Sequence, residues 1–170
     1  MNNRLMITFK LFILLIVGVS CGSSSGLKDG IDNKYDLELG VIAEDKVDNF
    51  VNRVIQRYGY DIARNEKYSS MGGFYIESYW TEREPFADER SLGYEAIQIQ
   101  LIFKSKLSRD RSADISYNTA YYDVDVEIRQ RGKKISGMDF EKFSFTDEGK
   151  DYVKDLAYEL KDYITGTLLQ

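Results

Sequence analysis

The sequence predicts an α+β fold with two layers, in which an antiparallel sheet of about four strands carries an N-terminal and a C-terminal helix on one face. Two observations lead to this prediction. Apolar residues recur at helical spacing over residues 44–58 and 147–165. Four stretches between them alternate apolar and polar side chains, as strands with one buried face do. Packing both helices on one face of one sheet would bury both apolar stripes.

The first helix is predicted from Glu44 to Tyr58, and Gly59 supplies its stop. The closing helix follows Thr146, a predicted N-cap, and ends at Gly166. The strands between them are predicted over residues 60–64, 74–81, 94–104 and 117–131. Three segments are less regular: a short strand could form at 35–39, 82–90 is a charged loop with the only proline, and 135–145 is an irregular strand or an aromatic loop.

The N-terminal segment has the layout of a secretory signal peptide. Two basic residues, Arg4 and Lys10, precede an apolar run over residues 11–17 that is too short to span a bilayer. The run ends in Gly18-Val19-Ser20-Cys21, and Cys21 is the only cysteine in the chain. This end resembles a bacterial lipobox, in which an aliphatic residue usually stands at the position of Gly18.

The resemblance implies that Cys21 is acylated on sulfur and becomes the new N-terminus, so that its lipid binds the protein to a membrane. Gly22 rather than Asp follows it, which for such lipoproteins implies the outer membrane, with the protein facing the periplasm. An uncleaved membrane anchor and ordinary secretion are the alternatives. The predicted organisation is a signal peptide over residues 1–20, the lipidated cysteine with a Gly/Ser-rich tether over 21–41, and a single domain over 42–170.

Composition narrows the classes of function. The formal charge is −5, and loss of Arg4 and Lys10 with the signal peptide leaves about −7, which disfavours nucleic acid and anionic lipid headgroups as partners. The chain has no histidine, so it can build neither a Ser–His or Cys–His nucleophile nor a histidine zinc site. Its glycines follow no phosphate-loop pattern. We therefore expect no enzyme activity, no metal and no cofactor.

Acidic residues are the remaining source of chemistry. Two pairs could act as catalytic carboxylates, namely Asp123 with Asp125 and Glu82 with Glu84. Two oxygen-rich segments, Asp88-Glu89 and Asp110 to Asp114, lack the spacing of a calcium loop. Solvated strand faces and loops are the favoured interpretation of all four.

A protein-binding surface is the favoured prediction. If the apolar strand residues face the helices, one set shares the opposite face: Tyr75, Tyr79, Gln98, Gln100, Ile102, Tyr121 and Asp123. Tyrosine is enriched at interfaces because its large ring carries a polar tip, although tyrosine and glutamine also suit any half-exposed strand. The 82–90 loop, with Arg83 next to Trp80, is a second candidate, and its alternative is a salt-bridged turn that holds Trp80 in the core.

The order of elements resembles a known family. A helix, the turn Gly59-Tyr60-Asp61-Ile62 and a strand that ends Tyr75-Ile76-Glu77-Ser78-Tyr79-Trp80 are similar to the helix-grip domain of BamC, a lipoprotein of the outer-membrane β-barrel assembly machinery. That family has a long N-terminal segment and two grip domains, whereas one domain is predicted here. Lipoproteins of lipopolysaccharide transport fit the element order nearly as well. Neither resemblance fixes a function.

Two functions follow as expectations. The first is a non-enzymatic adaptor that binds an envelope protein through the sheet face or the 82–90 loop. The second is a carrier or sensor of a small apolar ligand between sheet and helices, lined by Tyr122, Phe140, Phe143 and Phe145. A pocket between the layers would favour the carrier, and a closed core would favour the adaptor.

Overall fold

The structure, a computed structural model, describes residues 32–68, 72–108 and 119–167. These residues form an α+β fold with an open antiparallel sheet of six strands and three α-helices. The predicted α+β class and antiparallel sheet are confirmed. The predicted number of about four strands was too low.

The elements follow one another along the chain with short connections. The strands are β1 (Lys34–Ala43), β2 (Ile62–Tyr68), β3 (Gly73–Ser78), β4 (Thr81–Arg83), β5 (Tyr94–Leu107) and β6 (Tyr121–Lys134). The helices are α1 (Val47–Tyr58), which follows a 3-10 turn at Glu44–Lys46, then α2 (Ala87–Ser91) and α3 (Asp147–Thr167).

The sheet has the order β1-β6-β5-β3-β2, and β4 pairs with β5 beside β3. β3 pairs with residues 102–104 of β5, whereas β4 pairs with residues 97–99. The predicted strand 74–81 is therefore two strands, and the chain leaves the sheet between them at Tyr79 and Trp80.

β1 accounts for a further strand and begins inside the predicted tether. Its register with β6 shifts between Glu38 and Gly40, and Gly40 takes a φ of 118°, which favours glycine. This bulge turns Leu39 and Ile42 into the core, both at most 1% exposed. An uninterrupted alternation of two would not do so. β1 crosses residue 41, where the prediction placed the start of the domain.

One hydrophobic core lies between the helices and the sheet. α1 and α3 contribute their apolar stripes to the same cluster as the inward side chains of β3, β5 and β6. The rings of Phe50 on α1 and Phe103 on β5 meet edge to face at 5.3 Å. Both helices therefore pack against the same side of the sheet, and its opposite side is here called the outer face.

The less regular segments take definite forms. The predicted 82–90 loop contains β4 and α2. Residues 135–145 form a loop, and Glu141 returns to pair with Gly132. The Thr146 hydroxyl accepts a hydrogen bond from the Gly149 N–H at 3.2 Å, which confirms the predicted N-cap of α3. That helix continues one residue past its predicted stop at Gly166.

Candidate binding site

The outer face carries most of the predicted binding residues. Strand register places Tyr75, Gln98, Gln100, Tyr121 and Asp123 there, because their chain neighbours point into the core. Among the described residues, α1 and α3 both lie on the other side of the sheet, so no helix of this part covers the outer face.

The first group on this face is the Tyr75 cluster, formed by Arg64, Tyr75, Glu77 and Gln100. The Tyr75 hydroxyl donates to Glu77 at 2.9 Å, and the Gln100 amide donates to the same carboxylate at 2.8 Å. The Arg64 guanidinium lies 5.0 Å above the Tyr75 ring. Burial, followed by the hydrogen bond to Glu77, raises the pKa of Tyr75. The tyrosine is thereby held in one orientation with an edge open to solvent.

The second group is the Glu127 cluster, formed by Glu127 and three cations. Lys34, Lys104 and Arg129 all pair with this carboxylate, whose side chain is only 7% exposed. Burial opposes its ionisation, but hydrogen bonds and charge from Lys104 and Arg129 outweigh burial and lower the pKa of Glu127 to about 2. The centre of the outer face therefore holds one buried carboxylate under three partly exposed cations.

The Glu127 cluster predicts a loss of stability in acid. The folded-state pKa lies below the ordinary value of 4.5, so the stabilisation is fully present above about pH 4.5 and is lost as the pH falls towards 2. Because both lysines are about half exposed and screened, we expect a loss of about 1–3 kcal/mol. Urea denaturation of the wild type and of Glu127→Gln at pH 7 and pH 3 measures it. An equal pH dependence in both proteins would contradict this assignment.

The third group is the Trp80 cluster, formed by Trp80, Gln98, Arg131 and Phe140. The Arg131 guanidinium lies 4.3 Å from the Trp80 ring centre and 5.3 Å from that of Phe140. Its Nε donates to the Gln98 side chain at 2.8 Å. Burial lowers the pKa of Arg131. Trp80 is thus half-buried on the outer face and does not fill the main core.

The other predicted residues lie apart from these groups. Tyr79 is 60% exposed in the break between β3 and β4. Tyr121 and Asp123 lie at the opposite end of the face, where β6 begins. Burial raises the pKa of Asp125 there. The positive charge of Lys106 lowers this pKa, whereas the negative charges of Glu38 and Asp123 raise it. The predicted residues therefore spread along the face and do not converge on one point.

Arg83, predicted as a binding residue of the 82–90 loop, is largely buried. It faces the helix side, because it pairs with the inward residue Ile97. Its guanidinium binds both carboxylate oxygens of Glu89, at 2.6 and 2.8 Å, and contacts Gln130 at 3.1 Å. Its side chain is 13% exposed and that of Glu89 is fully buried. The 82–90 segment is therefore held by a salt bridge, as the alternative prediction had it. The side chain that this salt bridge buries is Arg83, however, and Trp80 lies on the other side of the sheet.

The same segment closes the start of α3. The Asp88 carboxylate accepts the Glu148 N–H at 3.0 Å, and the Glu148 carboxylate accepts the Ala87 N–H at 3.3 Å. Acidic groups at a helix N-terminus are stabilising there. Asp88 and Glu89 thus have structural roles, whereas Asp110 to Asp114 lie outside the described residues.

Eight residues of these groups were not predicted as binding residues, and one of them, Phe140, was expected between the layers instead: Lys34, Arg64, Glu77, Lys104, Glu127, Arg129, Arg131 and Phe140. Arg129 and Arg131 were detectable, since they continue the odd-numbered positions of β6 beyond Asp123. The pairing of Lys104 with Glu127 requires the register of β5 against β6, which no single strand reveals. Phe140 comes from an irregular loop, where no periodicity indicates a face. Ile102 lies on the predicted face yet is fully buried, with Glu77 and Glu127 as its cross-strand neighbours.

Between the layers, the predicted aromatic lining is divided among separate contacts. Phe143 stacks on Tyr94 with ring centres 4.1 Å apart, and Tyr122 meets Phe74 edge to face at 5.7 Å. A cleft of about 280 Å³ lies at the edge of the layers, next to Tyr122. Its lining consists of Glu44, Val47, Lys67, Gly72, Gly73, Phe74 and Tyr122.

Two further features bear on the type of site. Within residues 32–68, 72–108 and 119–167, no helix is long and apolar enough to cross a membrane. The same ranges contain no group of three or more side chains placed to hold a metal ion.

No protein-family model, no curated protein and no solved structure matches this chain. The resemblances to a lipobox and to the BamC helix-grip domain stay predictions.

Proposed function

We propose that this protein is a lipid-anchored, non-enzymatic adaptor of the bacterial envelope that binds another envelope protein through its outer face. Cys21 would carry the lipid, and the domain would face the periplasm from the outer membrane. The two-layer, helix-grip-like arrangement suits this role, because it leaves one sheet face available for a partner. Participation in envelope assembly, as in the BamC family, is part of this proposal.

The observation that carries the proposal is the ordered outer face, which no helix of residues 32–68, 72–108 and 119–167 covers. Its aromatic rings are held by cations at 5.0 Å in the Tyr75 cluster and 4.3 Å in the Trp80 cluster. Side chains already fixed in one orientation lose little conformational entropy when a partner binds. Aromatic residues and arginine are also the types enriched in interface hot spots.

Site-specific photo-crosslinking tests the adaptor proposal. We place benzoyl-phenylalanine at position 79, because Tyr79 is exposed next to Trp80 in the break between β3 and β4, and at position 158 as a matched control, because Tyr158 is 46% exposed on α3. In living cells, position 79 should give a discrete adduct with one envelope protein and position 158 should not. Equal adducts at positions 79 and 158 would contradict an adaptor that uses this face. The absence of any adduct at position 79, and at position 98 when benzoyl-phenylalanine replaces the outer-face residue Gln98, would contradict it as well.

The second candidate is a carrier or sensor of a small apolar ligand, and the cleft beside Tyr122 is the observation that favours it. Val47, Phe74 and Tyr122 would contact the apolar part, while Glu44 and Lys67 lie at the same cleft. Its volume of about 280 Å³ suits only a small compound. Mass spectrometry of an organic extract of the purified protein distinguishes the candidates, because a carrier requires a compound at near-stoichiometric amount.

A further inference from the structure

β1 is an edge strand, and one of its two edges carries backbone groups that face away from the sheet. Within the described residues β1 pairs with β6 alone. The Gln130 N–H donates to the Asn33 carbonyl at 3.0 Å, so the even-numbered residues that follow turn their N–H and C=O groups away from β6. These residues are Lys34, Asp36 and Glu38, and all three are exposed. Their outward backbone groups are here called the free edge of β1.

The two edge strands of the sheet differ in how they discourage a further strand. β2, at the other edge, turns the polar Asn65 and the charged Lys67 towards the helix side. Inward charges on an edge strand are a common protection against strand addition. β1 turns Tyr35 and Leu37 to that side, and both pack against the core. The bulge at Gly40 interrupts the free edge, so the regular stretch before it is the part that another strand can join.

The side of the free edge that belongs to the outer face is acidic. On β6, Glu127 is the residue opposite Asp36. Asp125 is the residue opposite Glu38, and like charges at opposite positions repel. Lys34 is paired with Glu127, whereas no ion pair in the part of the chain that the structure describes involves Asp36 or Glu38. A strand with basic side chains next to these two carboxylates would relieve the repulsion.

The position of α3 decides between a single strand and a second copy of the domain. α3 packs along β1, where the Ile164 side chain lies 3.9 Å from the position that a Cβ on Gly40 would occupy. Two copies joined through β1 would bring their α3 helices over neighbouring strands, which are about 4.8 Å apart. Packed helices need about 8–10 Å between their axes. An extended segment without a helix of its own at this point meets no such conflict.

We propose that the envelope partner of this adaptor adds an extended segment, in which basic and apolar side chains alternate, to the free edge of β1. The backbone of the segment continues the sheet by bonding to the free edge. Its basic side chains lie next to Asp36 and Glu38 on the outer face. Its apolar side chains lie next to Tyr35 and Leu37 on the helix side. The inference rests on the proposed adaptor function and names the kind of segment that the adaptor recognises.

Two fluorescent peptides test the inference on the full-length protein, purified from cells in detergent. One peptide alternates lysine with valine, and the other alternates glutamate with valine. In fluorescence anisotropy, we expect the lysine peptide to bind at least tenfold more tightly. In amide hydrogen exchange, it should slow exchange at Lys34, Asp36 and Glu38, because an added strand accepts those N–H groups. The N–H groups of Tyr35 and Leu37 already bond to β6 and should not change.

Two variants and a matched control separate the backbone from the charges. Asp36→Pro removes one N–H of the free edge and no bond to β6, and proline is tolerated on edge strands. We expect it to weaken binding of the lysine peptide at least tenfold. Asp36→Lys with Glu38→Lys should reverse the preference between the peptides. Asp151→Lys with Asp155→Lys, the same charge change at exposed positions of α3, should leave the preference unchanged.

Several outcomes would overturn the strand addition. Binding of neither peptide, equal affinity for both, or binding without slower exchange at the free edge would each do so. Protection of the free edge without peptide would overturn it too: protection that grows with protein concentration assigns the edge to a second copy, and constant protection assigns it to another segment of the same chain.

Photo-crosslinking in cells distinguishes this failure from failure of the adaptor. An adduct at position 79 that persists in Asp36→Pro would overturn the strand addition and leave the adaptor intact. Lysine-peptide binding at the free edge, with no adduct at positions 79 and 98, would contradict an adaptor that uses the outer face and keep the free edge as a strand-binding site.

Discussion

Arg83→Met should lower the free energy of unfolding by about 3–5 kcal/mol, because it leaves a buried carboxylate without its cation. Glu89 is fully buried, and Arg83 binds both of its oxygens. The Phe86 N–H at 2.8 Å would be a remaining donor to that carboxylate. The Arg83 side chain also lies 4.2 Å from the Phe86 ring and 5.2 Å from the Tyr152 ring, so its packing is lost with its charge.

Arg64→Met is the matched control for this loss. It breaks an ion pair of similar length, 2.8 Å to Glu66, but both side chains are about half exposed. Such pairs contribute at most about 1 kcal/mol, and urea denaturation of both variants measures the difference. Replacing both buried partners, as Arg83→Met with Glu89→Leu, should recover part of the loss, since no buried charge remains. Similar costs for Arg83→Met and Arg64→Met would show that Glu89 is not sequestered as the structure indicates.

The consequence for function is that the 82–90 segment is an internal support. β4 and α2 connect the sheet to the start of α3 through Arg83, Asp88 and Glu89. These three side chains bind one another and the α3 backbone, so they are not available to bind a partner. This leaves the outer face as the stronger of the two predicted surfaces.

Sequence periodicity predicted the elements whose side chains follow a single repeat. α1, β5 and α3 were found because apolar residues recur at helical or alternating spacing over many residues, and burial on one side enforces that spacing. β1 was only partly found, since the bulge at Gly40 changes which side chains point inward. α2 has five residues, fewer than two turns, so no periodicity could mark it.

The candidate site likewise has a part that follows from periodicity within single strands and a part that does not. Which residues share the outer face follows from alternation within each strand, so Tyr75, Gln98 and Gln100 were predictable. Which of them touch depends on register between strands and on loops, as with Arg131 between Trp80 and Phe140. The inward direction of Arg83 was not predicted, because the break at Tyr79 and Trp80 separates the alternation of β4 from that of β3.

Loss of the Cys21 thiol should abolish acylation of this protein. Cys21→Ser removes the only cysteine thiol in this chain, so no lipid can be attached to sulfur there. We expect the wild-type N-terminal peptide to begin at an acylated Cys21, and the variant to keep residues 1–20 without an acyl chain. Mass spectrometry of that peptide measures both outcomes, and Ser24→Ala is the control that should leave processing unchanged.

A second variant separates the lipid from the apolar signal segment as the source of membrane binding. A cleavable secretory signal replaces residues 1–20, in a chain that also carries Cys21→Ser. This protein should be exported and recovered mostly in the soluble fraction, because stable anchoring takes more than one acyl chain at about 0.8 kcal/mol per buried methylene, and this variant carries none. If it stayed as firmly bound as the wild type, the domain itself would hold the membrane, and the lipid on Cys21 would not be the anchor.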